Sequence, residues 1–94
     1  MRVYLVRHRG ALDVEGSIAT HRLSGEWGGV TEETLVEATP EEAERIRRLE
    51  QVVQIDIAPA GLYVGDRRGV VVIESGGSWH RVSEAEIEDY KLST

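Results

Sequence analysis

The chain has 94 residues, 40% of them hydrophobic and 30% charged, with no cysteine, no phenylalanine and a formal net charge of −6 at pH 7. That composition excludes disulfides, thiolate chemistry and cysteine zinc sites, and it describes a folded domain with an aliphatic core rather than a disordered segment. Nucleic-acid binding is driven by phosphate neutralisation and is not expected of so acidic a chain; no run is apolar enough for a signal peptide or a membrane span, so the expectation is a single cytoplasmic domain over 1–94 with no membrane partner.

Arg2 to Arg9, RVYLVRHR, reads as a strand that ends at Gly10. Val3 and Leu5 lie on one face, Tyr4 and Val6 on the other, which predicts a central strand. Glu15-Gly16 suggests a turn, and Ser17 to Leu23 a second strand that pairs back on the first. Ser24 to Val30, SGEWGGV, is a loop by composition. Thr34 to Ala38 reads as a short strand leading into the best-signalled element of the chain, a helix over 40–53. Thr39 is its cap, Pro40 fits the first helical position and Glu42 completes a capping box. Ala43, Ile46, Leu49 and Val53 recur at helical spacing and form its inward stripe.

Beyond the helix, Gln54 to Ala58 alternates, with Ile55 and Ile57 on one side, and Pro59-Ala60-Gly61 breaks the pattern. Leu62 to Val64, Val70 to Glu74 and Trp79 to Val82, separated by turns at 65–69 and 75–78, read as a three-stranded meander. Ser83 caps a final short helix, with Glu86 as its capping-box partner and Ile87 and Tyr90 as its inward candidates. The expected architecture is α+β: a small antiparallel sheet of five or six short strands, the helix at about 40–53 packed on one face, and a short C-terminal helix. An SH3-like small barrel built mainly from residues 54–83 is the alternative.

Charge is unevenly placed. Residues 1–25 carry four Arg against Asp13 and Glu15, whereas residues 26–50 carry eight Glu against Arg45, Arg47 and Arg48. Glu41 and Glu44 precede Arg45 and Arg48 by four positions in the favourable order, so this helix face can be laced by its own ion pairs. Trp27, flanked by Glu26 among glycines, is a candidate anchor for a partner, because tryptophan is enriched at interface hot spots. Together Trp27, Glu26, Glu41 and Glu44 point to a small acidic binding or regulatory domain acting through protein–protein contacts, inhibitor- or antitoxin-like by analogy, with a basic protein as a suitable partner. Arg67 and Arg68, in the turn GDRRG, are candidate anion ligands. Self-association through sheet edges, giving a homodimer, is a further expectation. His8, His21 and His80 have no spacing that presets a metal site, nucleotide phosphate loops are absent by pattern, and no cofactor is expected.

The stretch Val3 to His8, VYLVRH, resembles the opening of the histidine phosphatase (phosphoglycerate mutase-like) superfamily, in which a strand delivers an Arg-His-Gly sequence and the histidine becomes phosphorylated. The resemblance covers six to ten residues and implies an alternative function, a phosphate-handling enzyme with His8 as nucleophile and Arg7 as phosphate ligand. Arg9 stands where the family has glycine, and His80 is the candidate for the family's second histidine.

Overall fold

The first strand, β1 (Arg2–His8), carries apolar side chains on both faces, and the chain is arranged to cover each of them. A computed structural model describes residues 1–65, 69–83 and Glu86, with the side chains of Glu26 and Trp27 outside the described set. Among these residues β1 is followed by β2 (Ser17–Trp27), β3 (Val30–Ala38), α1 (Pro40–Arg47), β4 (Val52–Ile57), β5 (Gly61–Gly65), β6 (Gly69–Ile73) and β7 (Trp79–Val82). Seven strands form two antiparallel sheets, ordered β2-β3-β1-β4 and β5-β6-β7. The α+β expectation holds in this coarser form. Instead of one sheet of five or six strands there are two, and residues 54–83 do not close into a barrel, because β4 joins the first sheet and β5 to β7 make the second.

β1 is central, as its two apolar faces require, pairing with β3 on one side and β4 on the other. Both partners are antiparallel to β1 and therefore parallel to each other. The connection between them crosses over β1, and α1 is laid on one face of the sheet by that crossover. Under it lie Val6, Val36, Ala38 and Ile46, joined by Tyr4, Leu12, Val14, Val52 and Ile55. The opposite face meets the second sheet: Val3, Ile18, Leu35 and Ala58 pack with Val71 and Ile73, and Leu5, Ala19, Tyr63 and Trp79 pack at the margin. The layers are thus helix, sheet, sheet, with β1 buried between two cores.

Two bulges set which side chains reach which core. Ser17 pairs with Val36 and Ala19 with Leu35, leaving Ile18 as an extra residue that turns toward the second sheet together with Ala19. Arg7 pairs with Gln54 and His8 with Val52, so Val53 is extra and half-exposed. β2 pairs with β3 and not with β1, contrary to the expected hairpin with the first strand; the segment 9–16 instead packs Leu12 and Val14 beside the helix. Gly16 permits this course: its φ is +88° and a Cβ there would overlap the Glu37 carbonyl. The stretch 24–30 is not a free loop. Trp27 pairs with Val30 across a two-residue turn in which Gly28 and Gly29 both have positive φ, although the register breaks between Arg22 and Trp27.

The helix ends at Arg47, earlier than the apolar spacing predicts. Ala43 and Ile46 are buried as expected, but Leu49 is 37% exposed and Val53 lies in β4. The strand wins this segment because Val52 pairs with His8 and the Arg9 N–H donates to the Gln51 carbonyl at 2.8 Å; a helix through 53 would leave that edge of β1 without partners. β-branched Val52 and Val53 also suit a strand better than a helix. Ile55 and Ile57 share a face as expected, yet α1 covers only Ile55, and Ile57 stays 55% exposed. The meander predicted over 62–82 forms, with its first strand starting one residue earlier, at Gly61. The turn at Asp66 to Arg68 lies outside the described residues, as do Ile87 and Tyr90. Ser83 and Glu86 do make the predicted capping-box contacts, with the Glu86 N–H donating to Ser83 Oγ at 3.3 Å and the Ser83 N–H donating to Glu86 Oε1 at 3.4 Å.

The capping box of α1 is complete: the Glu42 N–H donates to Thr39 Oγ1 at 3.2 Å and the Thr39 N–H donates to Glu42 Oε1 at 3.1 Å. The hydrogen bond from the Thr39 backbone holds the Glu42 carboxyl below its ordinary value of 4.5. Its folded form is therefore favoured at neutral pH, and that contribution is lost as the pH falls through the lowered value. Thr39→Ala is expected to cost about 1 kcal/mol in urea unfolding. Glu42→Gln is expected to flatten the pH dependence of the urea midpoint on the acid side of pH 4.5.

Candidate functional site

Strand alternation separates Arg7 from His8. Arg7 faces the second sheet, where its Nε donates to Glu33 Oε2 at 3.0 Å and its Nη1 lies 3.9 Å from Asp56 Oδ2. His8 points the opposite way and is fully buried, with both ring nitrogens engaged. Nδ1 is 2.7 Å from the Gly10 carbonyl and Nε2 is 2.7 Å from Thr34 Oγ1, which in turn lies 3.1 Å from Thr20 Oγ1. A carbonyl only accepts, so Nδ1 carries a hydrogen. In the neutral ring the chain of donors then runs from the Thr20 hydroxyl to Thr34 and from Thr34 to His8 Nε2, satisfying every group. A hydroxyl–imidazole–carbonyl series has the connectivity of an activated nucleophile. Here the imidazole and the Thr34 hydroxyl are both fully buried, and the series comes near the surface only at Thr20, in the wall of a cleft between the two sheets. It works as a polar lock that ties β1, β2, β3 and the start of segment 9–16 together.

The arrangement that the histidine phosphatase resemblance implies is not assembled. Arg7 cannot hold an anion against His8 from the other side of the sheet. His80 sits on β7 in the second sheet, with Nδ1 3.9 Å from Glu74 Oε1. No group of three or more His, Asp or Glu able to hold a metal ion occurs among the described residues. No described helix is long and apolar enough to cross a membrane.

Of the residues singled out for partner binding, Glu41 and Glu44 are exposed on α1. Glu44 is already paired: Arg47 Nε donates to its Oε2 at 3.1 Å, Arg47 Nη2 meets Oε1, and Arg48 Nη2 lies 3.7 Å away. The Arg47 hydrogen bond keeps its carboxyl below the usual range. The backbone of Glu26 and Trp27 ends β2 at the hairpin tip; their side chains, and Arg67 and Arg68, lie outside the described residues.

Absent from the sequence reading is a cleft of about 230 Å³ between the two sheets. Its floor is Leu5 and Leu35 on the sandwich face of the first sheet, with Glu33 at one end. One wall is Ala19, Thr20 and His21, the other Leu62, Tyr63 and Val64. Side chains alternate along a strand, so three consecutive residues line a cleft only where the strand presents its edge. β2 and β5 are the outermost strands of their sheets. The cleft is therefore a slot between two strand edges over an apolar floor. Tyr63 donates its hydroxyl to the Pro59 carbonyl at 2.8 Å. Burial pushes its phenol above the ordinary 10.0, the Glu33 carboxylate adds to the shift and Arg7 opposes it. Leu62 and Val64 are 51% and 60% exposed. No single segment carries a signal for this slot, because its walls come from strands some forty residues apart.

No protein-family model, no curated protein and no solved structure matches the chain.

Thr34→Val keeps the shape at 34 but leaves His8 Nε2 and the Thr20 hydroxyl without their shared partner; a loss of roughly 1–3 kcal/mol in chemical denaturation is expected. Incubation of the folded protein with acetyl phosphate is expected to leave no acid-labile phosphate on His8, as read by mass spectrometry of the intact chain.

Proposed function

We propose that the domain is a small binding module that acts through protein–protein contact, with the slot between β2 and β5 as its main contact surface. The observation that carries this reading is the pairing of an open apolar cleft with exposed Leu62 and Val64 on a strand edge, a combination that favours association over solvation. Chemistry is a poorer fit to the same residues, because the His8 imidazole and the Thr34 hydroxyl that it meets are both fully buried.

The acidic helix face plays a secondary part in this proposal. Glu44 is committed to Arg47 and Arg48, and over residues 40–48 three glutamates are balanced by three arginines, so this face offers a local contact more than a net charge. Glu41 makes no ion pair among the described residues and is the better contact on α1. Trp27 and Glu26, whose backbone ends β2 at the hairpin tip, are further candidate contacts in this proposal. An inhibitor- or antitoxin-like role is the finer form of the proposal.

Ala19→Arg fills the cleft from its β2 wall at a position that is only partly buried. In affinity capture from an extract of the source cells, the wild-type chain is expected to retain a protein that the variant loses, while thermal unfolding shows both to be folded. Identical captured sets from two folded proteins would overturn the proposal.

A further inference from the structure

The slot excludes a strand but admits a side chain. β2 runs close beside β5, so no further strand enters between the two walls. The space of about 230 Å³ is nevertheless ample for one side chain, since an apolar cavity of about 150 Å³ already holds a benzene ring. Leu5 and Leu35 give it an apolar floor, and half-exposed Leu62 and Val64 belong to one wall.

One end is charged. Among the described residues that line the slot, Glu33 alone carries a formal charge when histidine is neutral. His21 stands opposite it in the β2–β3 pair. Glu33 Oε2 accepts from Arg7 Nε at 3.0 Å, and no described residue donates to its Oε1. Arg7 does not cancel this charge. Its Nη1 also lies 3.9 Å from Asp56 Oδ2, so one guanidinium serves two carboxylates, and it does not line the slot. The Tyr63 phenol reports the balance: burial is the main cause of its raised value, but of the two charges acting on it Glu33 counts for more than Arg7. The field at that wall is negative.

We infer that the slot takes a lysine side chain of a basic partner protein, its aliphatic stem on Leu5 and Leu35 and its ammonium on Glu33 Oε1. The inference rests on the protein-contact reading and deepens it by naming the group that is gripped. Lysine buries its methylene stem along apolar surface while its head stays wet. The Glu33 side chain is 24% exposed, so the ammonium is paired without losing all its water. Arginine is a poorer match. Its paired donors suit a carboxylate with both oxygens open, whereas one oxygen of Glu33 is committed to Arg7; an ammonium is a compact charge that a single oxygen satisfies. A neutral aliphatic side chain covers the carboxylate without pairing it, which costs free energy.

An NMR titration of the isotope-labelled full chain with Nα-acetyl-lysine N-methylamide tests the inference. The amides of Ala19, His21, Leu35 and Tyr63 are expected to shift in a saturable way, with binding weakened by NaCl. The corresponding norleucine and arginine derivatives are expected to bind at least about tenfold more weakly. Glu33→Gln keeps the size of the side chain and an acceptor for Arg7; it is expected to weaken the lysine derivative by a similar factor while thermal unfolding shows it folded. In affinity capture it is expected to lose the protein that Ala19→Arg loses. Wild-type amides that do not respond to the lysine derivative overturn the inference, as does a norleucine or arginine derivative that binds equally well, or lysine binding retained by folded Glu33→Gln. If Glu33→Gln does not fold, the comparison of the three derivatives on the wild type decides. If the lysine site fails while Ala19→Arg still loses a captured protein, the slot grips that partner through other groups and the contact reading stands; if Ala19→Arg loses nothing, the contact reading fails as well.

Discussion

The double burial of β1 is the constraint on which the rest depends. A strand with Val3 and Leu5 on one face and Tyr4, Val6 and His8 on the other exposes apolar surface whichever way it turns, so it needs a layer on both sides and a strand along each edge. A chain of 94 residues meets all four demands with little to spare. β3 and β4 take the edges, α1 and segment 9–16 cover one face, and the β5–β7 meander covers the other. The crossover from β3 to β4 then has to pass over β1, which explains why the helix sits where it does.

The same demand explains the shortness of α1. The apolar stripe Ala43, Ile46, Leu49, Val53 is a valid helical pattern, but its last member is claimed by β4, whose backbone is needed to pair β1. Satisfying a row of main-chain groups outweighs one more turn of helix, especially for two adjacent valines. Burying Ile46 alone is worth roughly 1.5–3 kcal/mol, so the two turns that remain suffice to hold the helix against the sheet. The capping box at Thr39 and Glu42 defines its start sharply.

Polar groups are placed economically. His8, the buried imidazole, is held by Gly10 and Thr34 and organises three strands. Arg7, one residue earlier, is shared between Glu33 and Asp56 beside the open end of the slot. Trp79 donates its indole N–H to Glu37 Oε2 at 2.9 Å, and the Arg81 guanidinium lies 5.6 Å from its ring centroid while reaching the Ile18 carbonyl. These contacts stitch the second sheet to β2 and β3 along one side. On the other side β5 runs close beside β2, and the slot lies between the two strands.

Local sequence alone determined the central position of β1, the start of α1 at Thr39, the meander over 62–82 and the capping contacts of Ser83 with Glu86, because each depends on side-chain alternation or cap chemistry within a few residues. Tertiary structure alone decided that β2 pairs with β3, that β4 takes Val52 and Val53 from the helix, and that the strands divide into two sheets. The candidate site belongs wholly to this second group. Leu5, Ala19, Leu35 and Tyr63 are ordinary aliphatic and aromatic positions when read singly; they become a slot only when two strand edges from distant parts of the chain face each other across the gap between sheets, and no local pattern encodes that distance.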